Sequence, residues 1–324
     1  MKPGAERRFL PAVILVLVAA GLAFGVEAAA PPPSAAEQLQ RMAAAVSSRS
    51  FKGTLVYLHD NRLETLYIHH LIEDGAVHER LVSMTGPVRA VTRADDEVTC
   101  ILPNSHPISV KRRGVARDLL RSRAMDPELL ASHYQIHQLG AARVAGRQTS
   151  VIGIVPDDDL RYGYRFYLDQ ETGLPLKTDL MGGADEPIEQ VMFTSLDLDV
   201  DAGAAPVLVP GASVEDQQSP PATAAASPWR FEQLPSGFEL LMHQAKAGSS
   251  ANIEHFLLSD GLAAVSVYIE PDDGAGLQGK THIGAIHAIG GRVAGHQVTV
   301  VGEVPEATVA TVLAAIRYRS ATPR

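Results

Sequence analysis

The chain has 324 residues, of which 46% are hydrophobic and 20% charged, and its formal net charge is −9. This is the composition of a globular protein that is long enough for two domains. The acidic balance argues against a general nucleic-acid binder, because neutralising phosphates requires a basic excess. Cys100 is the only cysteine, so no intramolecular disulfide can form. Its strand-like surroundings are typical of a small buried side chain, and a reactive thiol or an intermolecular bridge is the alternative.

The N-terminus has the layout of a secretory signal. Three basic residues precede the apolar run 11–26, PAVILVLVAAGLAFGV, which is shorter than the about 20 residues of a membrane span. Small residues follow the run, and we expect cleavage after Ala28. Residues 1–28 are therefore predicted to be a signal peptide and the mature protein to be periplasmic, with an uncleaved anchor as the alternative.

The next segment changes from a helical to a strand period. Residues 34–50 predict a helix, since their apolar residues recur at helical spacing and Ser34 with Glu37 forms a capping-box pattern. From Phe51 the period is two, and polar turns separate five strand candidates at roughly ten-residue spacing. The pattern predicts an antiparallel meander.

Residues 111–130 predict a long connection with one or two short helices. Its first part, residues 111–123 (KRRGVARDLLRSR), holds six basic residues and one acid. A solvated helical face explains such a run, and a contact for an anionic group is the alternative. The candidates for that contact are Lys111, Arg112, Arg113, Arg117 and Arg121.

Strand patterns resume at residue 134 and end near residue 202, after which the composition changes. Residues 203–228 are rich in Ala, Pro, Gly, Ser and Gln and predict an interdomain linker. Residues 229–320 predict a smaller second domain with several strands, whose last element is a helix after Pro305.

The second domain begins with an aromatic–arginine cluster, Trp229, Arg230 and Phe231. Such clusters are enriched at protein interfaces, which makes these residues candidates for binding a partner. A packing anchor at the exit of the linker explains them equally well.

Two segments are nearly the same: residues 143–156 (RVAGRQTSVIGIVP) and 292–305 (RVAGHQVTVVGEVP) agree at nine of fourteen positions. A duplicated domain would match over most of its length, whereas this likeness extends over about twenty residues. We interpret each copy as a turn at Val-Ala-Gly that leads into a buried strand, with Pro156 and Pro305 ending the two strands.

No catalytic or metal-binding motif stands out. The twelve His residues are scattered, and the spacings of zinc sites, hydrolase elbows and phosphate-binding loops do not occur. The sequence therefore predicts no enzyme activity, no metal and no cofactor.

Six segments together resemble the MucB/RseB family of periplasmic sigma-factor-pathway regulators. They are FKGTLVYLHDNRLETLYIHH (51–70), HERLVSMTGPVRAVTRADDEVTCILP (78–103), RYGYRFYLDQETGLPLKTDL (161–180), SPWRFEQLPSGFEL (227–240), HFLLSDGLAAVSVYIEP (255–271) and HQVTVVGEVPEATV (296–309). The resemblance implies an α+β, mainly β fold. Residues 34–202 would form an antiparallel half-barrel with helices, similar to lipoprotein carriers of the LolA/LolB kind, and residues 229–320 a small α+β domain.

The resemblance also implies a function. Members of the family bind the periplasmic part of a membrane-spanning anti-sigma factor and shield it from the protease that starts its degradation. An envelope lipid such as lipopolysaccharide would release it, and no catalytic residue takes part. The oligomeric state stays open, a homo-oligomer included. The alternative function is that of a periplasmic lipid or lipoprotein carrier.

An open apolar sheet face would offer room for acyl chains. The candidate lining residues are the apolar alternates of the first strands, for which ordinary core packing is the other explanation. They are Leu55, Tyr57, Leu66, Ile68, Val82 and Val91.

Overall fold

Three helices and twenty strands, arranged in three sheets, make up the described part of this computed structural model. The described residues are 33–85, 90–94, 97–101, 108–111, 126–183, 186–200, 213–215, 227–247 and 252–319. The helices are α1 (Ala35–Ser48), α2 (Pro127–Leu130) and α3 (Glu306–Ala315). The predicted signal peptide lies outside the described residues. Within them, no helix combines the length and the apolar character that crossing a membrane requires.

The first helix confirms its sequence pattern. Glu37 N donates to Ser34 Oγ at 3.2 Å, and Ser34 N donates to Glu37 Oε2 at 2.7 Å, which completes the capping box. The side of α1 that faces the protein interior carries Leu39 and Met42, which are completely buried. Removing each such side chain from water stabilises the fold by about 1.5–3 kcal/mol.

The first sheet carries twelve strands. They are β1 (Phe51–His59), β2 (Arg62–Glu73), β3 (Ala76–Ser83), β4 (Ala90–Ala94), β5 (Glu97–Ile101), β6 (Ile108–Lys111), β7 (Tyr134–Val144), β8 (Arg147–Pro156), β9 (Gly163–Asp169), β10 (Pro175–Met181), β11 (Pro187–Asp197) and β12 (Ser213–Glu215).

The strand order of this sheet is β12-β6-β5-β4-β3-β2-β1-β11-β10-β9-β8-β7. Each neighbouring pair is antiparallel except β12 with β6, which is parallel. The end strands β12 and β7 do not pair with each other, so the sheet is open in the described part of the chain. The predicted meander and the mainly β fold with an open antiparallel sheet are confirmed. Strand β12 falls inside the predicted linker 203–228, most of which lies outside the described residues.

The second sheet has six strands in the order β14-β15-β16-β19-β18-β17, and a two-stranded sheet pairs β13 with β20. The strands are β13 (Trp229–Phe231), β14 (Glu239–Ala247), β15 (Asn252–Ser259), β16 (Ala264–Pro271), β17 (Gly279–Ile283), β18 (Ile286–Val293), β19 (His296–Gly302) and β20 (Ile316–Tyr318). The prediction that the last element is a helix is wrong, because α3 is followed by β20. Ile316 leaves the helix with extended backbone angles and pairs with Phe231.

The two similar segments form two hairpins of the same kind. The first joins β7 to β8 and the second joins β18 to β19. Ala145 and Gly146 have φ values of 49° and 77°, and Ala294 and Gly295 have 50° and 78°. Positive φ at both central residues defines a type I′ turn, which matches the twist of the strands it joins. The predicted turn is confirmed.

The prolines of the two segments play different roles. Pro156 is the last residue of β8, as predicted. Strand β19 already ends at Gly302, so the prediction that Pro305 ends it is wrong. Pro305 is the N-cap residue of α3 instead, where a missing N–H costs nothing.

Candidate partner-binding site

A cavity of about 450 Å³ opens on the second sheet beside β13. It is lined by Ser227, Trp229, Arg230, Phe231, Leu234, Leu240, His243 and Phe256, and we call it the β13 pocket. All three residues of the predicted partner-binding cluster are in this lining, so the structure brings them together at one concave surface.

The three residues of the cluster differ in what they offer to a partner. Trp229 is 5% exposed and packs against Tyr318 and His296, with ring centroids 4.9 and 5.2 Å apart. It therefore holds β13 on the second sheet, which is the packing role considered from sequence. Arg230 is exposed and Phe231 is half-buried, edge-on to Phe256 at 5.2 Å. These two side chains are the ones that a partner can reach.

A hydrogen-bonded carboxylate ties the two sides of the β13 pocket together. Glu254 Oε2 lies 2.7 Å from His243 Nε2 and accepts from Ser227 Oγ at 2.7 Å. Ser227 Oγ in turn accepts from Trp229 N at 3.1 Å. The His243 ring also stacks on Phe256, with centroids 4.3 Å apart. The polar side of the pocket is thus fixed by contacts between residues that are far apart in sequence.

Strand β14 provides an apolar rim. It is the first strand in the order of the second sheet, so in the described part of the chain it has a strand neighbour on one side only. Leu240, which lines the β13 pocket, is 49% exposed, and Leu241 is 60% exposed. An edge strand with exposed leucines beside a pocket is a surface on which an extended peptide can pair and insert a side chain.

A buried ion pair joins the two sheets, which belong to one compact unit. Arg161, between β8 and β9, places Nη1 2.7 Å from Asp260 Oδ2, and both side chains are 0% exposed. Tyr134 donates its hydroxyl to the same oxygen at 2.8 Å. The other oxygen, Asp260 Oδ1, accepts from the backbone N–H groups of Leu262 and Ala263. This fully paired carboxylate fixes the turn between β15 and β16 against the first sheet.

A second junction uses the turn between β17 and β18. Asp60 Oδ2 accepts from Gly284 N at 2.9 Å, and Glu189 Oε1 accepts from Ala285 N at 3.0 Å. Tyr57 donates its hydroxyl to Glu189 Oε2 at 2.8 Å. One candidate lipid residue is therefore hydrogen-bonded to an acid that holds the second sheet.

Nearby, Tyr162 lies in the apolar part of the contact between the sheets. Burial, helped by the charge of Glu189 and by Tyr164, raises the pKa of Tyr162 to about 12. Its hydroxyl stays protonated at neutral pH. The Thr308 hydroxyl at the start of α3 donates to Leu160 O and adds a further contact between the sheets.

The candidate lipid residues divide into two groups. Leu55, Leu66 and Ile68 are buried in a cluster with Ala45 and Val46 of α1, against which Tyr57 also packs. Val91 of β4 pairs with Leu81 of β3 in the strand register. Val82 pairs with Tyr67 and lies on the other face of the sheet. Leu55, Leu66 and Ile68 are packed core in this structure.

The remaining predictions concern charge and metal. Lys111 is the last residue of β6, and Arg112, Arg113, Arg117 and Arg121 lie outside the described residues. In the described ranges, no group of three or more His, Cys, Asp or Glu side chains could hold a metal ion.

Two family models match the chain in the order of its two sheets. The MucB/RseB N-terminal domain matches residues 34–223, and the MucB/RseB C-terminal domain matches residues 223–317. The chain belongs to the MucB/RseB family. The β13 pocket lies in the part matched by the MucB/RseB C-terminal domain, and the candidate lipid residues lie in the part matched by the N-terminal domain.

Members of the MucB/RseB family are similar to the chain over most of its length. The sigma factor AlgU regulatory protein MucB of Pseudomonas aeruginosa is 36% identical in an alignment 309 residues long, which covers 90% of this chain and 93% of that protein. A chain in the structure of the Pseudomonas aeruginosa MucA/MucB complex is 33% identical, with a TM-score of 0.66, and the match covers 89% of this chain and 99% of that one. The structure of MucB in complex with MucA(peri) gives 32% identity, a TM-score of 0.65 and coverages of 89% and 100%.

Proposed function

We propose that this chain is a periplasmic regulator that binds the periplasmic part of a transmembrane anti-sigma factor and protects it from regulated proteolysis. The observation that carries the proposal is the match to MucB over nearly the whole chain, because that relative has been solved in complex with MucA and with MucA(peri). We further propose that an envelope lipid releases the anti-sigma factor from this chain and that the chain catalyses no reaction.

The β13 pocket and the β14 edge are the surface that we assign to the partner. An extended segment can pair with β14 while one of its apolar side chains enters the pocket between Phe231 and Leu240. Arg230 at the rim suits an acidic residue of the partner. The pocket is preformed, since the Glu254 network holds its walls, and a preformed site spares the partner part of the ordering cost.

The domain division follows the two sheets. We assign residues 34–202 to a lipid-carrier-type domain and residues 229–320 to the partner-binding domain, with 203–228 between them. The matches at 34–223 and 223–317 support this division.

The test is a binding measurement with the purified chain and the periplasmic part of an anti-sigma factor encoded beside its gene. We expect binding at micromolar concentration or tighter. A chain that does not bind in this range would overturn the proposed function.

A pair of variants tests the assigned surface. Leu241→Asp places a charge on the β14 edge at a side chain that is 60% exposed, and we expect it to weaken binding about tenfold or more. Leu63→Asp changes a leucine that is 63% exposed on the first sheet and serves as the matched control. Equal binding by both variants would move the partner site away from β14 without touching the proposed function.

A further inference from the structure

Three basic side chains form a row across the first sheet. Lys52 of β1 lies directly opposite His69 of β2, and His69 lies directly opposite Arg80 of β3. Directly opposed residues of antiparallel strands point to the same face, with Cβ atoms about 5 Å apart. We call these three residues the basic row. It lies on the face away from α1, since the neighbouring positions Ile68 and His70 face that helix.

Two nitrogen atoms of the basic row are buried without a hydrogen-bond partner: His69 Nδ1 and Arg80 Nε. The whole His69 residue is only 8% exposed. Buried polar atoms in folded proteins are nearly always paired, because an unpaired one loses its water without a replacement. Two such atoms at adjacent positions of one row therefore indicate a ligand that supplies the missing hydrogen-bond acceptors.

Few acids lie near the basic row, so its surroundings favour a negative ligand. Glu79, the acid next to Arg80 in sequence, is on the other face, where it lies 3.0 Å from His70 Nδ1. Asp197 is at the far end of the row, 3.3 Å from Lys52 Nζ. No carboxylate within the described ranges pairs with Arg80. Burial lowers the pKa of His69 most, and the charges of Lys52, His70 and Arg80 lower it further, because both effects disfavour the charged imidazolium.

The other described side chains on this face of the sheet place no acid next to His69 or Arg80. On the same face as the row, β2 places Tyr67, Leu71 and Glu73, and β3 places His78 and Val82. Glu73 is the acid among these residues; it is exposed and lies four residues along β2 from His69, about 13 Å away.

We propose that the basic row binds a phosphate group. A guanidinium, an imidazole and an ammonium from three strands converge on one surface, and a phosphate offers them three acceptor oxygens, whereas a carboxylate offers two. The Arg80 fork matches phosphate geometry, and Nδ1 of His69 donates to the anion when it carries a proton. The phosphate group belongs either to a free phosphate compound or to a lipid headgroup, and the two sources share this chemistry.

The first experiment uses inorganic phosphate and the protein expressed from its full-length gene, at low ionic strength because salt screens partly exposed charges. We expect phosphate to raise the melting temperature and chloride at equal ionic strength to leave it unchanged. Arg80→Gln should weaken phosphate binding about tenfold or more in calorimetry. Arg62→Gln, at an exposed arginine of β2, is the matched control and should bind like the original chain.

Two readouts separate a lost site from a lost fold. Arg80→Gln removes a half-buried cation that has no acid partner in the described ranges, so the variant should melt at the same or a higher temperature in phosphate-free buffer. In the original chain, NMR titration of His69 should show its pKa rising when phosphate is added, since an anion stabilises the imidazolium. The Arg80→Gln chain should show a smaller rise.

The second experiment distinguishes the two sources of phosphate. Vesicles of phosphatidylcholine with phosphatidic acid present a phosphate monoester, and vesicles of phosphatidylcholine alone do not. Arg80-dependent sedimentation with the first kind only identifies a lipid headgroup, and Arg80-dependent binding of inorganic phosphate without vesicle binding identifies a free phosphate compound. Either result supports the site. Absence of both, or binding that persists in Arg80→Gln, overturns it.

Discussion

Asp260 is the residue on which the contact between the sheets depends most. Its carboxylate has 0% exposure and accepts from Arg161, from Tyr134 and from two backbone N–H groups. Without it, Arg161 keeps a buried charge that has lost its fully buried acid partner and retains only Asp158, whose side chain is 33% exposed. We expect Asp260→Ala to lower the free energy of unfolding by about 3–5 kcal/mol in urea denaturation. Lys280→Ala removes a pair with Glu306 in which both side chains are more than half exposed, and it should cost less than about 1 kcal/mol. Similar losses in both variants would contradict this view of Asp260.

Asp169 makes the free energy of unfolding depend on pH in the acid range. Burial by itself raises the pKa of Asp169, but hydrogen bonds from Arg147 and Thr172 outweigh burial and hold it below its ordinary value of 3.8. A carboxyl whose folded pKa is lowered stabilises the fold above its ordinary pKa, and this stabilisation is lost as the pH falls through the folded value. We expect Asp169→Asn to be less stable than the original chain at pH 7, and the gap to close as the pH falls below about 4. A gap that stays constant in urea denaturation from neutral to acid pH would rule out this role.

At the scale of elements, the two type I′ turns explain why two short segments look alike in otherwise different surroundings. Both demand a left-handed backbone at two successive residues, and glycine takes the second position each time. We expect Gly146→Ala and Gly295→Ala each to cost about 1–2 kcal/mol in free energy of unfolding, because a side chain in this region meets the backbone. Gly183→Ala is the control, since a Cβ there meets nothing within 4 Å and its φ is not left-handed. Equal losses of free energy of unfolding in all three variants would show that the loss does not come from the left-handed turn positions.

The elements that sequence could predict are those whose signal is local. Ser34 and Glu37 mark the start of α1 by a pattern three residues long, and alternation from Phe51 marks the meander. Strand β17 escaped prediction because all five of its residues are exposed, so it has no apolar alternation. The Trp229 cluster stands out in the sequence as a candidate interface, whereas Glu254 and His243 meet only through strand pairing. The Arg161–Asp260 pair spans 99 residues and leaves no mark on either local sequence.

At the scale of the whole molecule, the proposed partner surface and the contacts with the first sheet share the second sheet. Strand β15 carries Phe256, which lines the β13 pocket, and Glu254, which contacts the lining residues Ser227 and His243. The strand ends at Ser259, directly before Asp260. In the first sheet, Glu189 accepts hydrogen bonds from Ala285 N and from the Tyr57 hydroxyl. The Tyr57 side chain packs against the cluster that contains Leu55, Leu66 and Ile68. Contiguous contacts therefore run from the first sheet to the second and connect the proposed lipid and partner sites physically.

The Glu189 connection gives the coupling a direct test. If lipid and partner oppose each other, lipopolysaccharide must weaken partner binding by the same factor by which the partner weakens lipopolysaccharide binding. Glu189→Ala breaks the contacts to Ala285 N and to the Tyr57 hydroxyl, so we expect it to reduce this factor while each ligand alone binds within about twofold of the original affinity. Calorimetry of partner binding with and without lipopolysaccharide measures the factor, and Glu73→Ala, at an exposed end of β2, is the control. An unchanged factor in Glu189→Ala would show that the junction at the β17–β18 turn does not transmit the lipid signal, and would leave the Asp260 junction as the remaining route.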